Sequence, residues 1–133
     1  MPRSSRGCLK YGSGVISFSL SQQIPGGKNQ IGISTRHGKV MRFPNRRFVL
    51  WRKEAALEVL TQVKVSEKPL KGSLAMTVQY VPQDQRTRDI PGMTDALCHL
   101  LEFCGLIEDD GQIQSLYWAR ALAGYTTIQL RAL

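Results

Sequence analysis

One stretch, Arg88–Ile113, constrains the fold more than any other part of the chain, because it sets a helical period between a proline and a glycine with carboxylates at both ends. Met93, Ala96, Leu97, Leu100, Leu101 and Cys104 recur three and four residues apart, the period of a helix that buries one face. Asp95, His99 and Glu102 fall on the other side. Pro91 suits a first helical turn, where a missing N–H costs nothing, and Gly105 suits the residue just past the end. The spacing predicts a helix from about Pro91 to Cys104, with Asp89 just before it and Asp109–Asp110 in the loop after it. At 1.5 Å per residue its ends stand roughly 20 Å apart. Asp89 and Asp110 therefore meet only if the chain doubles back through Leu106-Ile107 and the Asp109-Asp110-Gly111 turn.

After Arg88 the stretch holds no basic residue, yet the whole chain carries a formal charge of +8. Residues 1–53 contain eleven Lys or Arg and no Asp or Glu, which leaves seven basic against ten acidic residues from position 54 onward. A basic N-terminal part suits a polyanionic partner, whose condensed counterions Arg and Lys displace. Carboxylates gathered in one segment suit either a cation site or a solvated helix face.

At 133 residues the chain has the size of one domain. Residues 1–14 read as a basic arm and residues 15–133 as a single folded unit. No run of 18 apolar residues exists, so no membrane span is expected. Cys8, Cys98 and Cys104 are odd in number and lack paired ligand spacing, which points away from a disulfide framework and towards a reducing compartment.

Val15–Leu20 alternates as a half-buried strand, followed by a Pro25-Gly26-Gly27-Lys28-Asn29 loop whose glycines would let backbone N–H groups approach an anion. Residues 31–36 and 39–43 flank His37-Gly38 as a β-hairpin with Arg36, Lys39 and Arg42 near its tip, either a ribbon for a phosphate backbone or a solvated hairpin. Asn45 suits an N-cap for a helix to about Val63, with Trp51, Ala55, Ala56, Val59, Leu60 and Val63 on its apolar face. Arg46, Arg47, Arg52 and Lys53 crowd the helix start, where the dipole disfavours cations, and this favours phosphate contact there. Ser73–Val81, Ile113–Arg120 and Tyr125–Arg131 complete the strands. The expected class is α+β: a small mixed sheet of about five to six strands with two main helices.

The same residues resemble the RusA-type Holliday junction resolvases. Their signature is an Arg-rich loop, Asp-x-Asp-Asn, a helix carrying Lys, then Gly, two apolar residues and Asp-Asp-x-Gln-(Val/Ile). Arg88-Asp89, Gly105-Leu106-Ile107 and Asp109-Asp110-Gly111-Gln112-Ile113 match it without a gap, over about a fifth of the chain. The second Asp of Asp-x-Asp is Pro91 here, and the helix Lys is Asp95. Asp95 lies four residues on, one helical turn away, so it either replaces the lost carboxylate or marks a decayed site.

The resemblance implies a RusA-like fold, a homodimer matched to the two-fold symmetry of a four-way junction, and Mg²⁺- or Mn²⁺-dependent phosphodiester hydrolysis. It implies catalytic and metal-binding roles for Asp89 and Asp110 first, then Asp109 and Asp95. DNA contacts would come from Lys28, Asn29, Arg36, Lys39, Arg42, Arg46, Arg47, Arg86 and Arg88, with Lys28, Arg86 or Arg88 standing in for the missing helix Lys. No small-molecule cofactor and a cytoplasmic setting in a bacterium or phage-infected host go with that reading. Two others compete: a junction-binding protein on the same fold with cleavage lost, and a basic RNA-binding protein, for which the acidic clustering has no use.

Overall fold

The computed structural model describes residues 15–26, 31–36, 38–44, 46–64, 69–83 and 89–133. The elements follow the anticipated order: β1 (Val15–Leu20), β2 (Ile31–Arg36), β3 (Lys39–Pro44), α1 (Arg46–Gln62), β4 (Leu74–Tyr80), α2 (Ile90–Phe103), a single 3₁₀ turn (Asp110–Gln112), β5 (Ile113–Arg120) and β6 (Thr126–Ala132). The protein is a mixed α+β fold.

The strand count of the main sheet is lower than expected. Four strands join in the order β1-β6-β4-β5, while β2 and β3 pair only with each other. The reason lies at the outer edge of β1. Gln62, in the last turn of α1, accepts a hydrogen bond from the Ser19 N–H at 2.7 Å and donates one to the Ser19 carbonyl at 2.7 Å. Glu58, one turn earlier, accepts from the Ser21 hydroxyl at 2.6 Å and from its N–H at 3.3 Å. Two side chains thus occupy the backbone groups at the C-terminal end of the β1 edge that a neighbouring strand would need there.

β4 is one of the two inner strands, antiparallel to β6 and parallel to β5. Parallel neighbours cannot be joined by a tight turn and need a crossover, here α2. Leu74, Met76 and Val78 of β4, with Ile128 and Leu130 of β6 and Phe18 and Leu20 of β1, form the sheet side of the core. Met93, Ala96, Leu97, Leu100 and Leu101 of α2 pack into it, as the period required. Asp95, His99 and Glu102 stay exposed, as expected.

α1 contributes Phe48, Trp51, Ala55, Ala56 and Val59. Leu60, expected on this face, is instead 50% exposed, and Phe48 takes part because the stripe runs 48-51-55-59. The Arg52 guanidinium lies 4.4 Å from the ring centroid of Phe103 and 5.6 Å from that of Phe48. Cation–π attraction holds it between the two helices. Among the described residues no helix is long and apolar enough to cross a membrane.

Replacing Gln62 with Ala removes both bonds to Ser19, each worth about 1 kcal/mol. Urea denaturation should therefore show a loss of about 1–2 kcal/mol, and an unchanged midpoint would mean that water serves the β1 edge equally well.

Candidate metal centre

The end of α2 is shaped by backbone bonds. Gly105 takes a left-handed conformation, φ 77°. The Leu106 N–H reaches the Leu101 carbonyl at 2.9 Å and the Gly105 N–H the Glu102 carbonyl at 3.0 Å. This pair of bonds is the Schellman arrangement, and both Leu106 and Leu101 are buried beside it. The chain then reverses. Ile107 makes a parallel bridge with Leu70, and the Glu108 carboxylate meets the Lys71 ammonium at 2.7 Å on the surface.

Gln112 fixes the turn that follows. Its side-chain oxygen accepts from the N–H groups of Glu108 at 2.7 Å and Asp109 at 3.1 Å. Its amide nitrogen donates to the carbonyls of Leu70 at 2.9 Å and Gly72 at 3.0 Å. Asp109 caps the 3₁₀ turn by accepting from the Gly111 N–H at 3.0 Å. So in the Asp-Asp-Gly-Gln run, Gln112 is the anchor and Asp109 the cap, while no described group bonds the Asp110 carboxylate.

The reversal lays this turn against the last turns of α2. Ligand atoms of Glu102, Asp109 and Asp110 all lie within 4.8 Å of one another, and all three residues are exposed. Asp110, Asp95 and Glu102 also act together on Cys98. Burial, then the negative charges of those three residues in that order, pushes its thiol up from 9.0 to about 11. Burial alone pushes Cys104 up to about 11. The face of α2 around Cys98 is therefore an acidic surface to which the turn adds charge. An oxygen-only donor set of this kind fits a hard divalent cation, which takes carboxylates and keeps part of its water. One oxygen of Asp109 is already committed to the Gly111 N–H.

The four carboxylates expected from the sequence divide. Asp109 and Asp110 join the cluster with Glu102; Asp89 and Asp95 stand outside it. Asp89 occupies the N-cap position of α2, makes no side-chain cap bond and is exposed. The helix separates its backbone from that of Glu102 by roughly 20 Å. The loop after β1 does reach it, since a Cβ built on Gly26 would lie 3.9 Å from the Asp89 Cβ. Asp95 is exposed on the Cys98 face of the helix.

Of the residues expected to contact DNA, Lys28, Asn29, Arg86 and Arg88 lie outside the described residues. In the hairpin the register pairs Arg36 with Lys39 and Arg42 with Ile33. Arg46 and Arg47 are exposed at the start of α1. Asn45 lies outside the described residues. His99 sets its ring edge-on to Phe48, with centroids 5.8 Å apart.

Glu102 and Gln112 are the participants that residue-type reasoning missed. Glu102 sits seven residues after Asp95, two turns along the same helix side, and directly before the Gly105 reversal. Those two signals together place it under the returning turn. In comparison with known proteins, no family model matches the chain and no curated protein is significantly similar to it.

Gln112→Ala should cost about 2–3 kcal/mol in chemical denaturation, since four bonds of about 1 kcal/mol are lost and water restores part of them. For Cys98, a raised thiol pKa keeps the proton on the folded form while the unfolded chain loses it. Stability is then fully present below pH 9 and falls as pH rises towards about 11. Asp110→Asn removes one negative neighbour, so the pH profile of Cys98 alkylation should move to lower pH; an unmoved profile would separate Asp110 from this face.

Proposed function

We propose that the protein is a divalent-metal-dependent, structure-selective endonuclease that resolves branched DNA such as four-way junctions. The observation that carries this reading is the convergence of Glu102, Asp109 and Asp110 inside the segment that resembles the RusA-type resolvases, within a chain of net charge +8. Three carboxylates in mutual reach repel one another, and a bound cation offsets that cost.

In this reading Glu102 and Asp110 hold a Mg²⁺ or Mn²⁺ ion, with Asp109 contributing its second oxygen. When bound, such an ion supplies polarisation of the scissile phosphate and a more acidic water. Asp95 adds negative charge on the same helix, where the resemblance would put a lysine. Positive charge at the phosphate then falls to Lys28, Arg86 or Arg88, while Arg46 and Arg47 at the start of α1 and the hairpin positions 36, 39 and 42 track the DNA backbone. A junction has two symmetric strands to cut, so the active species is a homodimer. A cytoplasmic setting follows from that substrate.

A second reading, junction binding without cleavage, is favoured by Pro91 standing where the resemblance would put a carboxylate and by Asp89 lying outside the cluster. Synthetic four-way junctions with Mg²⁺ or Mn²⁺ separate the two. The nuclease reading expects paired nicks and a drop of about a hundredfold in Asp110→Asn and Glu102→Gln, equivalent to about 3 kcal/mol of lost charge stabilisation. Tight junction binding by the wild type with no nicking under either metal would leave the binding protein, and failure to bind at all would remove both.

A further inference from the structure

Both helices pack on one side of the main sheet, over a core that includes Phe18, Met76, Val78, Ile128 and Leu130. Alternation turns the intervening residues to the other side, and the register lines them up across all four strands. Ser17 stands opposite Gln129, Gln129 opposite Thr77 and Thr77 opposite Tyr117. Arg131 lies in the next row towards the start of β5, and Gln79 in the next row towards its end. Ser17, Gln79, Tyr117, Gln129 and Arg131 are all exposed, so water meets this face directly.

Its chemistry is not that of a buried protein contact. The face presents amides, hydroxyls, one guanidinium and one phenol, and an apolar partner laid over them would leave those groups without water or a bond. It carries no carboxylate, because residues 15–19, 75–79, 115–119 and 127–131 contain no Asp or Glu. The acidic surface of α2 lies on the opposite side of the sheet, beyond the core, and the Asp109-Asp110 turn stands at one end of the face, ahead of Ile113. Tyr117 is 63% exposed and has small neighbours on its face, Ser115 and Ala119 along the strand and Thr77 across it. Its ring is therefore open to a flat group stacking on it.

We propose that this bare face binds single-stranded DNA, with a base stacked on Tyr117, a phosphate held by Arg131 and base edges met by the amides of Gln79 and Gln129. Base faces are hidden inside a duplex and open in a single strand, so a stacking platform selects the latter. Each glutamine amide both donates and accepts, which suits the mixed donors and acceptors of base edges. A cation on a face without acids, in a chain of +8, selects a polyanion over a neutral sugar or an apolar peptide. The choice of DNA over RNA rests on the branched-DNA reading above, since a junction whose arms open exposes unpaired strands of that kind.

The probes are a short fluorescein-labelled oligo-dT and an oligo-U of equal length, titrated with the full chain in EDTA and read by anisotropy. Oligo-dT should bind at least as tightly as oligo-U. Tyr117→Ala should weaken its binding about tenfold and leave the salt dependence unchanged. Arg131→Gln should reduce the slope of log K against log salt by about 0.7, the share of one phosphate contact. Tighter binding of oligo-U overturns the DNA assignment. No binding of oligo-dT, or wild-type behaviour in either variant, overturns the face as its site. Should a variant lose its far-UV circular dichroism, crosslinking of the wild type decides: an oligonucleotide carrying 5-iododeoxyuridine should couple to the peptide that contains Tyr117, and coupling confined to other peptides overturns the proposal. With neither junction nor metal present, failure here leaves junction nicking untouched, and a protein that never nicks a junction leaves this outcome untouched.

Discussion

Parallel hydrogen bonding between β4 and β5 is the constraint on which the remaining structure depends. It obliges the chain to travel the length of the sheet between the two strands, and α2 does so with a buried stripe of Met93, Ala96, Leu97, Leu100 and Leu101. Once that stripe is fixed against β4 and β6, the opposite face of the helix has to carry whatever polar groups the sequence supplies, and here these are carboxylates. The acidic surface is thus a by-product of topology before it is a site. What turns it into a cluster is the reversal at Gly105 and the anchoring of the next turn by one glutamine side chain.

Much of this was legible from residue order. The helix limits followed from Pro91 and Gly105, the core stripe from its period, and β4 and β5 from alternation or apolar runs between breakers. Trp51 proved to be a core residue, 6% exposed. The partition of strands into a four-stranded sheet and a separate hairpin was not legible, because it turns on Gln62 and Glu58 imitating a neighbouring strand, and side-chain polarity alone does not tell such a role from solvent exposure. The ring contacts of Arg52 were equally hidden from the sequence. A cation near a helix start reads as unfavourable without a phosphate, yet Arg52 has two aromatic rings from different helices as neighbours.

The site was legible in part. Asp109 and Asp110 drew attention through the resemblance of Asp-Asp-Gly-Gln-Ile to the resolvase signature, and the structure brings both together with Glu102. Glu102 was missed because its contribution depends on how tightly the chain folds back, a tertiary quantity set by the Schellman bonds and by Leu106 and Ile107 entering the core. Asp89 drew attention because it matches the first Asp of the resolvase signature, but a helix of fourteen residues keeps its backbone far from the cluster.

The Gln62 contact at the β1 margin also bears on how far self-assembly can proceed. A protein with both margins bare can add copies indefinitely and grow into a fibre. Here the amide of Gln62 holds both backbone groups of Ser19, so a strand adding at the β1 margin would first have to displace it. A single glutamine at the end of α1 thus guards that stretch of the margin against a further strand.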